Sequence, residues 1–207
     1  MIYTTLNNRK IDISLPNTPK NIMVALSGGA DSALMLYLLA KELKATNSPV
    51  TLSTYTCPRP DGGANYSPKI VQYVNNKLGL NISGPSIIGD GDADHSIVIA
   101  KANQLLLDTG KYDLIYVAEN SIPPITIDSM PPVRSKSKYE WRRLVLPFYD
   151  LTKDDIIDLY FKEGIEDLLT YSHSCTGLTV GRCNVCFNCV ERAWAFSVIG
   201  KEDPGVA

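Results

Sequence analysis

The chain has 207 residues, 44% hydrophobic and 20% charged, with a formal net charge of −2. That mix suits a globular protein able to bury its own core, and it lacks the basic excess of a surface given over to nucleic acid. No apolar run reaches the ~20 residues needed to span a bilayer. The first twenty residues are polar and threaded with Asn, Thr and Pro, unlike a signal peptide, so a cytoplasmic protein is expected. In chain order, the short apolar run at 22–26 predicts a buried strand, and apolar positions 34, 35, 38, 39 and 43 predict a helix over 31–45. A β-branched stretch at 50–55 reads as a second strand, followed by a Pro- and Gly-rich loop over 57–68 and a helix over 68–78. A weak strand at 86–88, an acidic loop at 89–94, a helix at 95–109 and a strand at 113–118 follow. Residues 119–142 form the longest irregular stretch, 144–147 a short last strand, and Thr152 opens a helix with Asp155 at capping-box spacing.

Strands alternating with helices predict an α/β fold: a Rossmann-like parallel sheet of about five strands with helices on both faces. The N-terminal α/β domain is expected to span 1–165, with a small C-terminal helical segment over 166–207. In such sheets ligands bind beyond the carboxyl ends of the strands. The turn at 27–32 and the loops beginning at 57, 89 and 119 all follow strands, so they should line one crevice.

The turn at 27–32 reads Ser-Gly-Gly-Ala-Asp-Ser. Gly28 and Gly29 allow a tight turn and close approach to a ligand. The following helix offers unpaired N–H groups and the positive end of its dipole, and Ser27 and Ser32 add hydroxyls. This composition suits phosphate or pyrophosphate. Asp31 suits either the helix N-terminus or Mg²⁺ carried in with the phosphates. The spacing is not that of a Walker A loop, and no lysine follows the glycines.

Four of the five cysteines, 175, 183, 186 and 189, fall in C-x7-C-x2-C-x2-C spacing. A set of four thiolates satisfies tetrahedral Zn²⁺ and leaves no open position, which makes a structural site. An iron–sulfur cluster competes for the same pattern. His173 could replace a sulfur, but the four cysteines already complete a set. Cys57, after the second strand, reads as a small buried residue, with thiolate chemistry in the crevice as the alternative.

The Ser-Gly-Gly-Ala-Asp-Ser turn resembles the SGGxDS signature of the PP-loop ATP pyrophosphatases, whose fold is of the adenine nucleotide alpha hydrolase type and which split ATP between its α- and β-phosphates. Together with the tail Ser174-Cys175, Cys183-Asn184-Val185-Cys186-Phe187-Asn188-Cys189-Val190-Glu191-Arg192 and Ala195-Phe196, and with "LPFYDLTKDDIIDL" at 146–159, it is similar to the 7-cyano-7-deazaguanine synthase (QueC-type) family over 22–38 and 146–196. The resemblance implies ATP, Mg²⁺ and Zn²⁺ as cofactors. It implies a ligase that adenylates a deazapurine carboxylate, 7-carboxy-7-deazaguanine, and uses ammonia to give the amide and then the nitrile, with release of AMP and pyrophosphate. It also implies no membrane, no direct nucleic-acid partner, and a homodimer. It implies catalytic roles for Asp31, Ser32 and Lys153, nucleotide contacts from Ser27, Gly28, Gly29, Asp31, Ser32 and Tyr55, and metal binding by Cys175, Cys183, Cys186 and Cys189.

Three segments depart from the family pattern: Tyr55-Thr56-Cys57-Pro58, Ala93-Asp94-His95-Ser96, and "MPPVRSKSKYEWRR" at 130–143, which keeps only Pro132 and Arg134. These are the segments expected to hold the deazapurine. Readings that stop at the amide or adenylate another substrate therefore stay open. So does a PP-loop tRNA-modifying enzyme, for which the basic, aromatic run at 134–143 speaks, and so does a zinc-stabilised nucleotide-binding module without catalysis.

Overall fold

The chain begins with an element that no apolar run marks in the sequence. In a computed structural model, described for residues 1–18, 20–89, 95–128 and 143–205 (backbone alone for 95–97), the chain opens with an antiparallel hairpin. Its strands are β1 (Ile2–Thr4) and β2 (Lys10–Asp12), with Tyr3 opposite Ile11. Each strand buries a single residue, too few for a period of two to show in the sequence.

The main sheet contains β3 (Asn21–Ala25), β4 (Thr51–Thr56), β5 (Ser86–Ile87), β6 (Leu114–Tyr116) and β7 (Leu144–Val145). Its order is β5-β4-β3-β6-β7 and every pair is parallel. The expected five-stranded parallel sheet is thus present. Strand β6 is shorter than expected, although Val117 still donates to the Val145 carbonyl at 3.0 Å. From β3 the chain moves outward through β4 to β5, then returns to the other side of β3 for β6 and β7. The order therefore reverses between β3 and β6, and the carboxyl ends there frame the ligand crevice of a doubly wound sheet.

Alternation along β3 builds two cores. Ile22 and Val24 face α1 (Ala30–Thr46), α2 (Ser67–Leu78) and α4 (Lys153–Lys162), joined by Ala195 and Phe196 of α5 (Phe187–Ile199). Met23, with Tyr55 and Ile115, faces Val98, Ala102 and Leu106 of α3 (His95–Asp108). Helix α1 is buried continuously from Ser32 to Ala40, which explains why its apolar pattern runs almost all the way round. It stops where Asn47 turns left-handed, with φ of 48°. Phe161 of α4 meets Phe196 of α5 edge-on at 6.3 Å, so the C-terminal helix shares the core of the sheet. No helix among the described residues is long and apolar enough to cross a membrane. Residues 90–94 and 129–142, with Pro132, Arg134 and most of the basic run, lie outside the described residues.

Candidate nucleotide and metal sites

Strand β3 runs into the turn without losing its pairing: Leu26 N–H donates to the Tyr55 carbonyl at 2.8 Å. The chain then bends at Gly28, whose φ is +83°, and a Cβ there would lie 1.9 Å from the Gly63 carbonyl oxygen. Only glycine fits that approach. Gly63 is fixed in turn by its N–H bond to Asp61 Oδ1 at 2.9 Å. The two hydroxyls of the turn lie 3.1 Å apart. Ser32 Oγ donates to the Gly29 carbonyl at 3.1 Å and accepts from Ser27 N–H at 3.2 Å. Gly29 is the N-cap of α1, and no side chain caps that end. The first N–H groups of α1 and its dipole are therefore available to an anion in the crevice.

Lys153, the first residue of α4, reaches this turn across 122 residues of sequence. Its Nζ lies 2.6 and 2.5 Å from the two carboxylate oxygens of Asp31 and 3.4 Å from Oε2 of Glu191 on α5. The lysine side chain is 8% exposed, Asp31 23% and Glu191 0%. Several bonds hold α4 in place. The Thr152–Asp155 capping box forms, with Thr152 N–H to Asp155 Oδ2 at 3.2 Å. Tyr160 Oη donates to the Ala30 carbonyl at 2.5 Å. The N-terminal hairpin grips α4 itself: Asn7 Nδ2 donates to Asp154 and Asp155 at 3.0 and 2.9 Å, and Leu6 N–H to Asp158 at 2.9 Å.

Two loops wall the turn. His173 N–H donates to the Gly28 carbonyl at 2.8 Å. Its ring stacks on Tyr66, with centroids 5.0 Å apart, and its Nε2 lies 2.9 Å from the Leu178 carbonyl. Tyr55 is placed otherwise than the rest of the expected set. Its side chain is 1% exposed on the α3 face, with the hydroxyl donating to Asn103 at 2.6 Å. What it presents to the turn is its main-chain carbonyl. Cys57 joins the same apolar cluster, and burial pushes its thiol up to about 11, as befits a small core residue rather than a thiolate.

The four tail cysteines do meet. Their sulfurs all lie within 4.8 Å of one another, Cys175 and Cys189 buried, Cys183 and Cys186 half-buried. Main-chain N–H groups point at the sulfurs, from Gly177 to Cys175 at 3.4 Å and from Cys186 to Cys183 at 3.3 Å. Burial raises the Cys186 thiol, but hydrogen bonds from Thr176 and Cys189 outweigh it and bring the value to about 6. Cys189 is pushed up to about 12 by burial and by its neighbours Cys186 and Cys175. The second thiolate is thus opposed by the charge of the first, a balance that a cation between them reverses. With Zn–S bonds of ~2.3 Å, a tetrahedral site has sulfur–sulfur edges of roughly 3.8 Å, which the cluster accommodates.

Arg192, quoted above in the tail pattern, proves to be a clamp. It is fully buried. Its Nε and Nη2 donate to Asp203 at 2.8 and 2.9 Å, and its Nη1 donates to Ser172 and Ser174 at 2.8 and 3.1 Å. Arg182 pairs with the same carboxylate. Burial raises the Asp203 carboxyl, but the two guanidinium groups hold it below its ordinary value.

The sheet and its turn show a Rossmann-like fold. The chain superposes with a TM-score of 0.51 and 12% identity on the U34-tRNA thiolase NcsA from Methanococcus maripaludis with its [4Fe–4S] cluster, over 86% of this chain and 65% of that one. NMN synthetase from Francisella tularensis superposes at 0.49 and 12% identity, over 88% of this chain and 78% of that one. Within that fold the sequence is similar to a 7-cyano-7-deazaguanine synthase, that of Caldicellulosiruptor saccharolyticus. The two are 38% identical over 66 residues, covering 32% of this chain and 28% of that protein. The chain thus matches little more than a quarter of that relative's length. No protein-family model matches it.

Proposed function

We propose that the chain is an ATP-dependent ligase that adenylates a carboxylate and replaces the adenylate with ammonia. The observation that carries this reading is the Asp31–Lys153 pair beside the Ser27–Ser32 turn, at the point where the sheet order reverses. The uncapped end of α1 and the glycine turn receive the phosphates, with Lys153 as the cation beside them. Ser27 and Ser32 exchange their mutual hydrogen bonds for phosphate oxygens. Asp31 would hold Mg²⁺, whose charge would stabilise the leaving pyrophosphate.

The preferred substrate is 7-carboxy-7-deazaguanine, supported by the partial similarity to a 7-cyano-7-deazaguanine synthase and by the turn-plus-tail pattern. A carboxylate oxygen attacks the α-phosphorus and the bond to pyrophosphate breaks. Ammonia attacks the acyl carbon, AMP leaves with the electron pair of the carbon–oxygen bond, and loss of a proton from the nitrogen to solvent gives the amide. A second adenylation, on the amide oxygen, followed by loss of AMP and two protons gives the nitrile. For the tail we propose Zn²⁺ on Cys175, Cys183, Cys186 and Cys189. Sulfurs this close suit a single ion, whereas a cluster interposes irons and sulfides that spread its thiolates. The four thiolates fill the ion's coordination, so its work is to hold the tail together.

Incubation with ATP, Mg²⁺, ammonium and 7-carboxy-7-deazaguanine, followed by mass spectrometry, tests the substrate. The nitrile with AMP is expected. The amide alone would shorten the reaction to its first half, and no base-dependent AMP would remove the deazapurine. Metal analysis should find one zinc per chain; iron with visible absorbance would contradict the zinc assignment.

A further inference from the structure

Glu191 is a fully buried carboxylate on α5, two residues past Cys189. It faces the ammonium of Lys153 at 3.4 Å, while Asp31 holds the same ammonium at 2.6 and 2.5 Å. One cation is therefore shared between a carboxylate of the nucleotide turn and one from the cysteine segment. A buried carboxylate persists only where a partner compensates its desolvation. The other buried charge on α5, Arg192, is engaged by Asp203, Ser172 and Ser174, and Phe187, Ala195 and Phe196 are apolar, so Glu191 is the carboxylate that α5 turns toward Lys153.

We propose that Glu191 is a positioning residue that keeps Lys153 in place when Asp31 gives its oxygens to the divalent cation arriving with the nucleotide. The inference rests on the ATP-cleavage reading. The ammonium lies across both Asp31 oxygens, and two cations crowded on one carboxylate repel each other, so lysine and metal compete for it. With the Glu191 carboxylate beside it, the lysine leaves Asp31 without being stranded, because a second carboxylate already faces it. With an uncharged side chain in that place, the lysine holds the more firmly to Asp31. The cysteine segment, by placing α5, thereby sets how readily the nucleotide site accepts its metal.

The test is the binding of α,β-methylene-ATP, measured by calorimetry across a Mg²⁺ titration. Glu191→Gln should raise the Mg²⁺ concentration for half-maximal binding at least fivefold, with metal content and melting temperature unchanged. Most of that shift should vanish when Glu191→Gln is combined with Lys153→Met. Glu191→Asp, which keeps the charge on a shorter arm, should fall between, and it carries the test if the glutamine variant does not fold. An unchanged Mg²⁺ midpoint in a folded Glu191 variant, or a shift undiminished without Lys153, overturns the inference and leaves the ATP reading standing. If the unsubstituted protein binds no Mg²⁺–nucleotide, the ATP reading falls and the inference falls with it.

Discussion

Gly28 shows how little a single position tolerates here. Its φ is +83° and a Cβ would overlap the Gly63 carbonyl at 1.9 Å. Gly28→Ala combines a left-handed backbone with a collision against main chain, and should cost on the order of 3 kcal/mol in denaturant unfolding. A cost below about 1 kcal/mol would mean that the two loops separate easily. Asp31→Ala should abolish AMP formation and leave the fold intact, because Lys153 retains Glu191 at 3.4 Å; circular dichroism and an AMP assay separate the two effects. Ser32→Ala should act in the same direction, and retained AMP formation in either variant would take that residue out of the site. At this scale the sequence was informative about residue types and poor on pairings. It singled out both Asp31 and Lys153, but contact across 122 residues leaves no periodic trace. Glu191 carried no assigned role in the tail pattern, because burial on one face of α5 shows only once α4 is packed against it. Tyr55 stood at the right end of the right strand, but side chains alternate along a strand, and its own turned to Asn103.

Among the elements, the main sheet and its helices were legible because apolar runs and helical periodicity marked them. The two-strand hairpin at the N-terminus was not, since its work is done by Asn7 and Leu6 bonding to Asp154, Asp155 and Asp158. The C-terminal segment is tied by the Arg192–Asp203 pair as well as by the packing of α5 on α4. Asp203→Asn leaves a buried guanidinium without its anionic partner and should cost about 3 kcal/mol, read by thermal unfolding. The Asp203 carboxyl is held below its ordinary value. Its contribution is therefore present above the unfolded value near ~4 and is lost as pH falls through the lower folded value. The difference in stability between the natural chain and Asp203→Asn should thus be full at pH 7 and shrink only in strong acid; a difference that shrinks as pH rises would contradict the pairing. Stripping the proposed zinc with a chelator should expose the amides of 172–190 to hydrogen exchange while β3, β4 and α1 stay protected, since the sheet core does not depend on the sulfurs. Loss of protection throughout would make the metal a condition of the entire fold.

At the scale of the whole molecule, three separate stretches of chain meet at one end of the sheet. The turn after β3 brings Ser27, Gly28 and Asp31, the start of α4 brings Lys153, and the tail brings the buried Glu191. The order β5-β4-β3-β6-β7 brings them together, because the reversal beside β3 opens the crevice where the uncapped end of α1 lies. The central claim is that this crevice breaks ATP between the α- and β-phosphates. It is tested most directly by incubating the protein with Mg²⁺, a carboxylate substrate such as 7-carboxy-7-deazaguanine, ammonium, and ATP labelled separately at the α- and γ-phosphates. The expected result is substrate-dependent label in AMP from the first and in pyrophosphate from the second; label in ADP and inorganic phosphate would contradict it.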